Sequence, residues 1–424
     1  MSNPDIRRAI WVRPITPAAD GTSTEGLSIT EPIDAFGRLR TSNPTTIFDA
    51  GHQYNFNPLV WDSTVVGTGA VAHLPNESAI NLTTGGTANL SGVVVQTKTF
   101  HRYQPGKSQL VLCTGVFGAP VVNARKRYGY FSGTDGVYYE QTGAGMSVGL
   151  RASTTGTPVD AAVPQAQWNL DRMDGTGPSG ITLDWTKAQI LLFDLEWLGV
   201  GRVRYGVVVG GAIHYTHELA HKNTLTGAYM KTANLPVRAE VINTGTAAAT
   251  ATIKQICVSV ISEGGQEDDR AFLWSASNGI TPVAVTTRRA VLSIRPKLLF
   301  NSQTNRGQVL PSVVDLFTTA NAFYEVVLNA TLGGTPSWVS VNDASIVEFD
   351  VAGTTITGGI VVASGFLATS GPGTVRATGR NGILGRLPLG LNGAADAADR
   401  LSIVATSFTG TANVNASITW REFR

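Results

Sequence analysis

Short apolar runs recur along residues 50–265, alternating with polar positions and broken by Gly, Asn and Thr. Ser91–Phe100, Gln109–Phe117 and Met146–Arg151 read as strands, because alternation with period two places one side of an extended chain in a core. Arg127–Phe131 and Val137–Tyr139, joined by Gly133-Thr-Asp-Gly136, read as a hairpin. Gln189–Trp197 and Arg202–Val209, joined by Leu198–Gly201, read as another, and Gly210-Gly211 turns the chain into Ala212–Tyr215. Pro236–Ile242 and Ala251–Ile261 follow; in the latter the alternation puts Ile253 and Cys257 on one face and Lys254 on the other. Strands at this spacing predict an antiparallel β-sandwich, jelly-roll or lectin-like, over 50–265. No stretch calls for a long helix.

The same pattern resumes from about residue 285. Arg289–Arg295, Arg306–Pro311, Phe323–Ala330, Trp338–Val341, Ser345–Asp350, Gly359–Ala363, Leu401–Ala405 and Ala416–Phe423 predict a second β-sandwich over 285–424. Between the two, 266–284 reads as a linker, entered through the acidic run Ser262–Arg270, whose acids lack the spacing of a calcium loop. The N-terminal 49 residues differ. Pro4, Pro14, Pro17 and Pro32 forbid long helices and central strands. Asp34–Asp49 is broken at Gly37 and at Asn43-Pro44, so it reads as an extended strap. On that strap Phe36 and Leu39 dock on one surface, Ile47 and Phe48 on the next, and Arg38 and Arg40 share a face. The expected fold class is therefore all-β: an extended N-terminal arm, 1–49, followed by two antiparallel jelly-roll-like sandwiches.

Composition narrows the partners. Charged residues are 15% of the 424, against roughly 25% in ordinary soluble domains, and the formal net charge is +2. Nothing in that balance favours nucleic acid or an anionic membrane. No apolar run reaches the roughly 18 residues that span a bilayer, and no secretory leader is evident, so membrane insertion is not expected. Cys113 and Cys257 lack metal-type spacing and read as two buried strand thiols, although their spacing leaves a disulfide open.

Three features carry candidate chemistry. His217-Glu-Leu-Ala-His221 matches H-E-x-x-H, which binds zinc only when a helix puts both histidines on one face; here a strand precedes it and Asn223, Thr224 and Gly227 follow, so it reads as coincidence. Asp194 and Glu196 lie two apart on a strand and share a face, as the paired acids of glycan hydrolases do. Leu192 stands where a further acid is expected, so the pair reads as a solvated face with Arg202 or Arg204 across the hairpin as salt partner. Arg125-Lys-Arg127 reads as a surface loop, and Trp168, Trp185, Trp197, Trp274, Trp338 and Trp420 chiefly as core or interface anchors.

Asp34-Ala-Phe-Gly-Arg-Leu-Arg-Thr-Ser-Asn-Pro44 with Thr46-Ile-Phe-Asp49 resembles a signature of structural proteins of tailed bacteriophages. The resemblance extends through Asn234–Arg238, Lys254–Cys257, Ser262–Gly265, Ser293–Pro296, Asn305–Gly307 and Thr419–Glu422. It implies a non-enzymatic virion component without cofactor or metal, tail- or neck-associated or a fibre. Its partners would be copies of itself and other portal, neck, tail or capsid proteins, with Phe36, Arg38, Leu39, Arg40, Ile47 and Phe48 anchoring it. Two alternatives stand beside this: a capsid decoration protein, and a glycan-binding or glycan-cleaving protein that uses the first sandwich on a host surface glycan.

Overall fold

The computed structural model describes residues 12–13, 28–29, 42–266, 271–369 and 387–424. It is all-β, and the strands form antiparallel sheets. In the first sandwich one sheet has seven strands: Val159–Pro164, Gly145–Ala152, Gly136–Thr142, Ala124–Phe131, Val237–Asn243, Gly92–Thr97 and Trp61–Val66, in that spatial order. The facing sheet has eight: Ala212–Leu219, Val203–Val209, Gln189–Leu195, Gln109–Val116, Thr252–Ser262, Ala79–Thr83 and Ala70–Leu74, with Thr45–Gly51 beside Thr252–Ser262. Their inner faces meet on Val95, Val111, Tyr128, Tyr130, Tyr139, Phe193 and Tyr205, all 0% exposed. Two turns need glycine. Gly210 and Gly211 both have positive φ, the geometry of a two-residue hairpin that matches strand twist. At Gly136, φ is 134°, and a Cβ there would lie 2.2 Å from the Phe131 Cα.

Of the strap, Phe36, Arg38, Leu39 and Arg40 lie outside the described residues, as does most of the arm; Val12–Arg13 pairs with Ser28–Ile29. The rest of the strap enters the sheet as the strand Thr45–Gly51, with Phe48 opposite Val260. Ile47 and Phe48 pack on the first core, and the Phe48 ring is 4.5 Å from that of His101. His101 and His52 are both buried beside this strand, His52 against Trp61. Burial lowers His101 to about 3. Burial likewise lowers His52 to about 4, with His73 adding to the shift. The folded values lie below the unfolded one, so the unfolded chain takes up protons first as pH falls below about 6.5, and stability drops across the window down to about 4 for His52 and 3 for His101. Moving from pH 7.5 to 5 is expected to cost about 2 kcal/mol per imidazole. Urea midpoints at the two pH values check this, and His101→Phe should halve the drop; an unchanged midpoint would contradict it.

Two expectations about side-chain direction are corrected. A bulge between Gln255 and Cys257 shifts the strand by one residue, so Ile253 is in the core and Cys257 is exposed. Cys113 stays buried opposite Val258, one position from the Cys257–Thr114 pair, and both thiols are free. Arg125-Lys-Arg127 is in a strand rather than a loop. Lys126 points inward, where its Nζ donates to the Phe117 and Ala119 carbonyls and to Gln141 Oε1 at 2.5–2.9 Å. Those three acceptors are what make a buried ammonium tolerable there.

The second sandwich packs a sheet of Phe272–Ser277, Ala412–Phe423, Val283–Val285 and Gln308–Thr318 against a six-stranded one. The latter holds Arg289–Pro296, Leu401–Ser407, Ala322–Leu328 and Ile360–Leu367, with Val347–Asp350 and Val339–Ser340 at one edge. Phe272–Ser277 and the start of Val283–Val285 lie in the span read as a linker, and both strands pair with the C-terminal strand. Gln308–Thr318 continues past Pro311, where the expected strand ends: a bulge between Pro311 and Val313 leaves Ser312 unpaired and the pairing with Ala412–Phe423 resumes. The two sandwiches touch. Arg306 lies 3.9 Å over the Phe100 ring and donates to the Asn392 and Gly393 carbonyls, and Gly393 N donates to Asp62 at 2.8 Å.

Candidate functional site

Phe193 and Leu195 fill the core, so alternation sends Asp194 and Glu196 to the outer face of the eight-stranded sheet. Arg204 sits directly opposite Asp194 in register and forms an ion pair with it. Tyr215, one strand further, donates its hydroxyl to Asp194 Oδ2 at 3.0 Å, and the Arg204 guanidinium lies 4.1 Å over the Tyr215 ring. Arg202 bridges Glu196 and Glu218, each at 3.5 Å. Both expected arginines are therefore partners, one for each acid.

The opposite wall comes from two distant segments. Ser108 donates to Glu263 Oε2 at 2.6 Å, the Glu263 amide donates to the Ser108 carbonyl, and Lys107 Nζ donates to Gly265 O at 3.2 Å. Tyr103 accepts the Trp197 N–H at 3.3 Å; burial is the main cause that raises the Tyr103 phenol, so it stays a neutral hydroxyl. These walls enclose a cavity of about 330 Å³ that includes Asp194, Glu196 and Glu263 with Lys107, Arg202 and Arg204. Its size is at the lower end of ligand pockets. Acids and cations are paired there, so a ligand would meet hydrogen-bond acceptors and donors side by side. Glu263 was read as part of a boundary run, and neither Lys107, Ser108 nor Tyr215 carried any signal: all reach the site through pairing across more than a hundred residues or from the next strand.

A second charged group lies on the outer face of the seven-stranded sheet. Glu140, Arg127 and Glu240 stand in one row across three strands. Arg127 donates to Glu140 at 2.6 Å and Asp160 at 2.9 Å, and Arg151 holds Asp160 with two bonds. Glu240 takes two bonds from Arg238. Arg127 and Glu240 are 3% and 1% exposed, so this is a closed network that binds strands to one another.

Other sequence candidates fall elsewhere. His217 is on the strand Ala212–Leu219, where its Nδ1 accepts the Asn169 N–H; His221 lies beyond the strand, stacked 4.1 Å from Tyr229. Without a helix the two rings do not share a face, and no group of three or more metal-ligating side chains occurs among the described residues. Trp168 and Trp420 are buried, Trp185 and Trp197 pack on the first core, Trp274 on the second, and Trp338 lies under Arg295 at 4.0 Å. Ile47 and Phe48 line a larger cleft of about 800 Å³ between the sandwiches, whose walls are mainly apolar. Among the described residues no helix is long and apolar enough to cross a membrane.

No family model matches the sequence, and no curated protein matches it. Solved structures that match half of the chain include a glycoside hydrolase family protein from Mycobacterium thermorestibile, at 10% identity and TM-score 0.36 over 50% of this chain and 99% of that one. A Bacillus licheniformis β-glucanase matches at 12% identity and TM-score 0.32, over 52% of this chain and 99% of its own. The CBM2 module of the evolved Dit of Lactobacillus casei BL23 phage J-1 matches at 4% identity and TM-score 0.34, over 54% and 100%. At these scores the likeness assigns no site or reaction to this chain. The expectation that the chain is not an enzyme is not carried forward: the structures that match include a glycoside hydrolase family protein and a β-glucanase.

Proposed function

We propose that this chain is a component of a tailed-phage particle whose first sandwich engages glycan in the Asp194–Glu196 cavity. The observation that carries the glycan reading is the wall of that cavity of about 330 Å³, where carboxylates and guanidinium groups stand in pairs, Asp194 with Arg204 and Glu196 with Arg202. Sugar hydroxyls both donate and accept, so such a wall satisfies them pairwise, and charge-assisted bonds are the stronger kind. Asp194 is 7% exposed and holds Arg204 and Tyr215 in place, whereas Glu196 and Arg202 have side chains about half exposed and are the groups that would touch a ligand. The virion reading is supported by the resembling segments, which run from Asp34 to Glu422.

Glu196→Gln removes one charge-assisted hydrogen bond and is expected to weaken glycan binding roughly 10- to 100-fold, because such a bond contributes about 1.5–3 kcal/mol. Calorimetric titration of the full chain with oligosaccharides checks this. Unchanged affinity in the variant would remove the cavity from the site. Release of reducing ends by wild type, lost in the same variant, would move the reading from binding to cleavage.

A further inference from the structure

We infer that the glycan taken by this cavity is electrically neutral and presents adjacent hydroxyls, as against a sialic or uronic acid; this rests on the glycan reading given above. The cavity lining holds three carboxylates and three cations, and Glu218 adds a fourth carboxylate just outside. Each guanidinium is already committed: Arg204 to Asp194, Arg202 to Glu196 and Glu218. Lys107 donates to the Gly265 carbonyl.

A sugar carboxylate is recognised by cationic donors that it need not share. Brought to Arg202, it would stand beside both Glu196 and Glu218, and the like charges would repel it. A hydroxyl meets no such conflict. Two neighbouring hydroxyls can donate to Glu196 and accept from Arg202, which stand side by side with side chains 52% and 48% exposed. Leu198, 54% exposed on the same turn, offers an apolar contact for the C–H face of a pyranose ring.

The test uses the full chain and two sets of probes: neutral hexose oligomers (maltohexaose, cellohexaose, a galactan oligomer) and acidic ones (oligogalacturonate, sialyllactose). Wild type is expected to bind a neutral member at least tenfold tighter than any acidic one. Glu196→Gln with Glu218→Gln frees Arg202, and should raise affinity for an acidic oligomer about tenfold while lowering it for the neutral one. Urea midpoints verify that the variant is folded. Equal or tighter wild-type binding of an acidic sugar would overturn the neutral-ligand inference and leave the glycan reading in place. Absence of wild-type binding to every member would overturn both.

Discussion

Replacing Glu240 by Ala is expected to destabilise the first sandwich by about 3–5 kcal/mol, the usual cost of leaving buried charges without their partner. Glu240 is 1% exposed and serves three arginines: Arg238 with two bonds, Arg125 at 3.4 Å and Arg127 at 3.6 Å. Burial alone would raise its carboxyl, but Arg238, Arg125 and Arg127 outweigh burial and hold it below the ordinary carboxylate range. Folding this network therefore depends on pairing: without Glu240, Arg238 and Arg125 lose their carboxylate, while Arg127 keeps Glu140 and Asp160. Glu240→Gln keeps acceptor and shape and should cost less, about 1–3 kcal/mol. For a domain of this size the Ala variant should melt roughly 10 °C lower. Calorimetry measures this, and a loss under 1 kcal/mol would mean that the row Glu140–Arg127–Glu240 is not the tie between strands described above.

Trp420→Ala is expected to cost about 3–5 kcal/mol in the second sandwich, from lost burial and the cavity left behind. The ring is 0% exposed on the strand Ala412–Phe423, between Trp274 and Pro311 of the flanking strands. Its Nε1 donates to Glu422 Oε1 at 3.0 Å. Glu422, 1% exposed, also accepts from Ser345 Oγ and the Ile346 amide, so truncation of Trp420 leaves a buried carboxylate one donor short. Trp420→Phe retains most of the volume and should cost only about 1–2 kcal/mol. Urea unfolding of the two variants separates the terms, and glycan binding by the first sandwich should survive both. Equal losses would assign the effect to the hydrogen bond instead of the volume.

Much of the fold was legible because antiparallel strands with one buried face repeat every second residue. Gln109–Val116 alternates buried and half-buried along its whole length, and its span is close to the one the pattern predicts. Bulges were not legible. The insertion at Gln255–Cys257 changes which face Cys257 takes, yet leaves no mark in composition, so strict alternation put it in the core. Arg125-Lys-Arg127 was misread because three basic residues suggest solvent, whereas cross-strand carboxylates and carbonyls bury two of them. The strands in 266–284 were missed because their partner is the C-terminal strand, far along the chain.

The candidate site was half legible. Asp194, Glu196, Arg202 and Arg204 lie on one hairpin, and spacing alone pairs them. The far wall, Lys107, Ser108 and Glu263, is assembled by sheet neighbours that no local pattern announces. The resembling segments take structural places: Glu422 binds Ser345 and Ile346, Asn305 donates to the Lys297 and Ile346 carbonyls, and Arg306 spans the two sandwiches.

The decisive measurement is the affinity of the full chain for neutral hexose oligomers, wild type against Glu196→Gln, by calorimetric titration. A saturable one-site isotherm for wild type, weakened at least tenfold in the variant, is the outcome required of a glycan site at Asp194 and Glu196. Saturable binding that Glu196→Gln leaves untouched, or no heat with any oligomer, would contradict it.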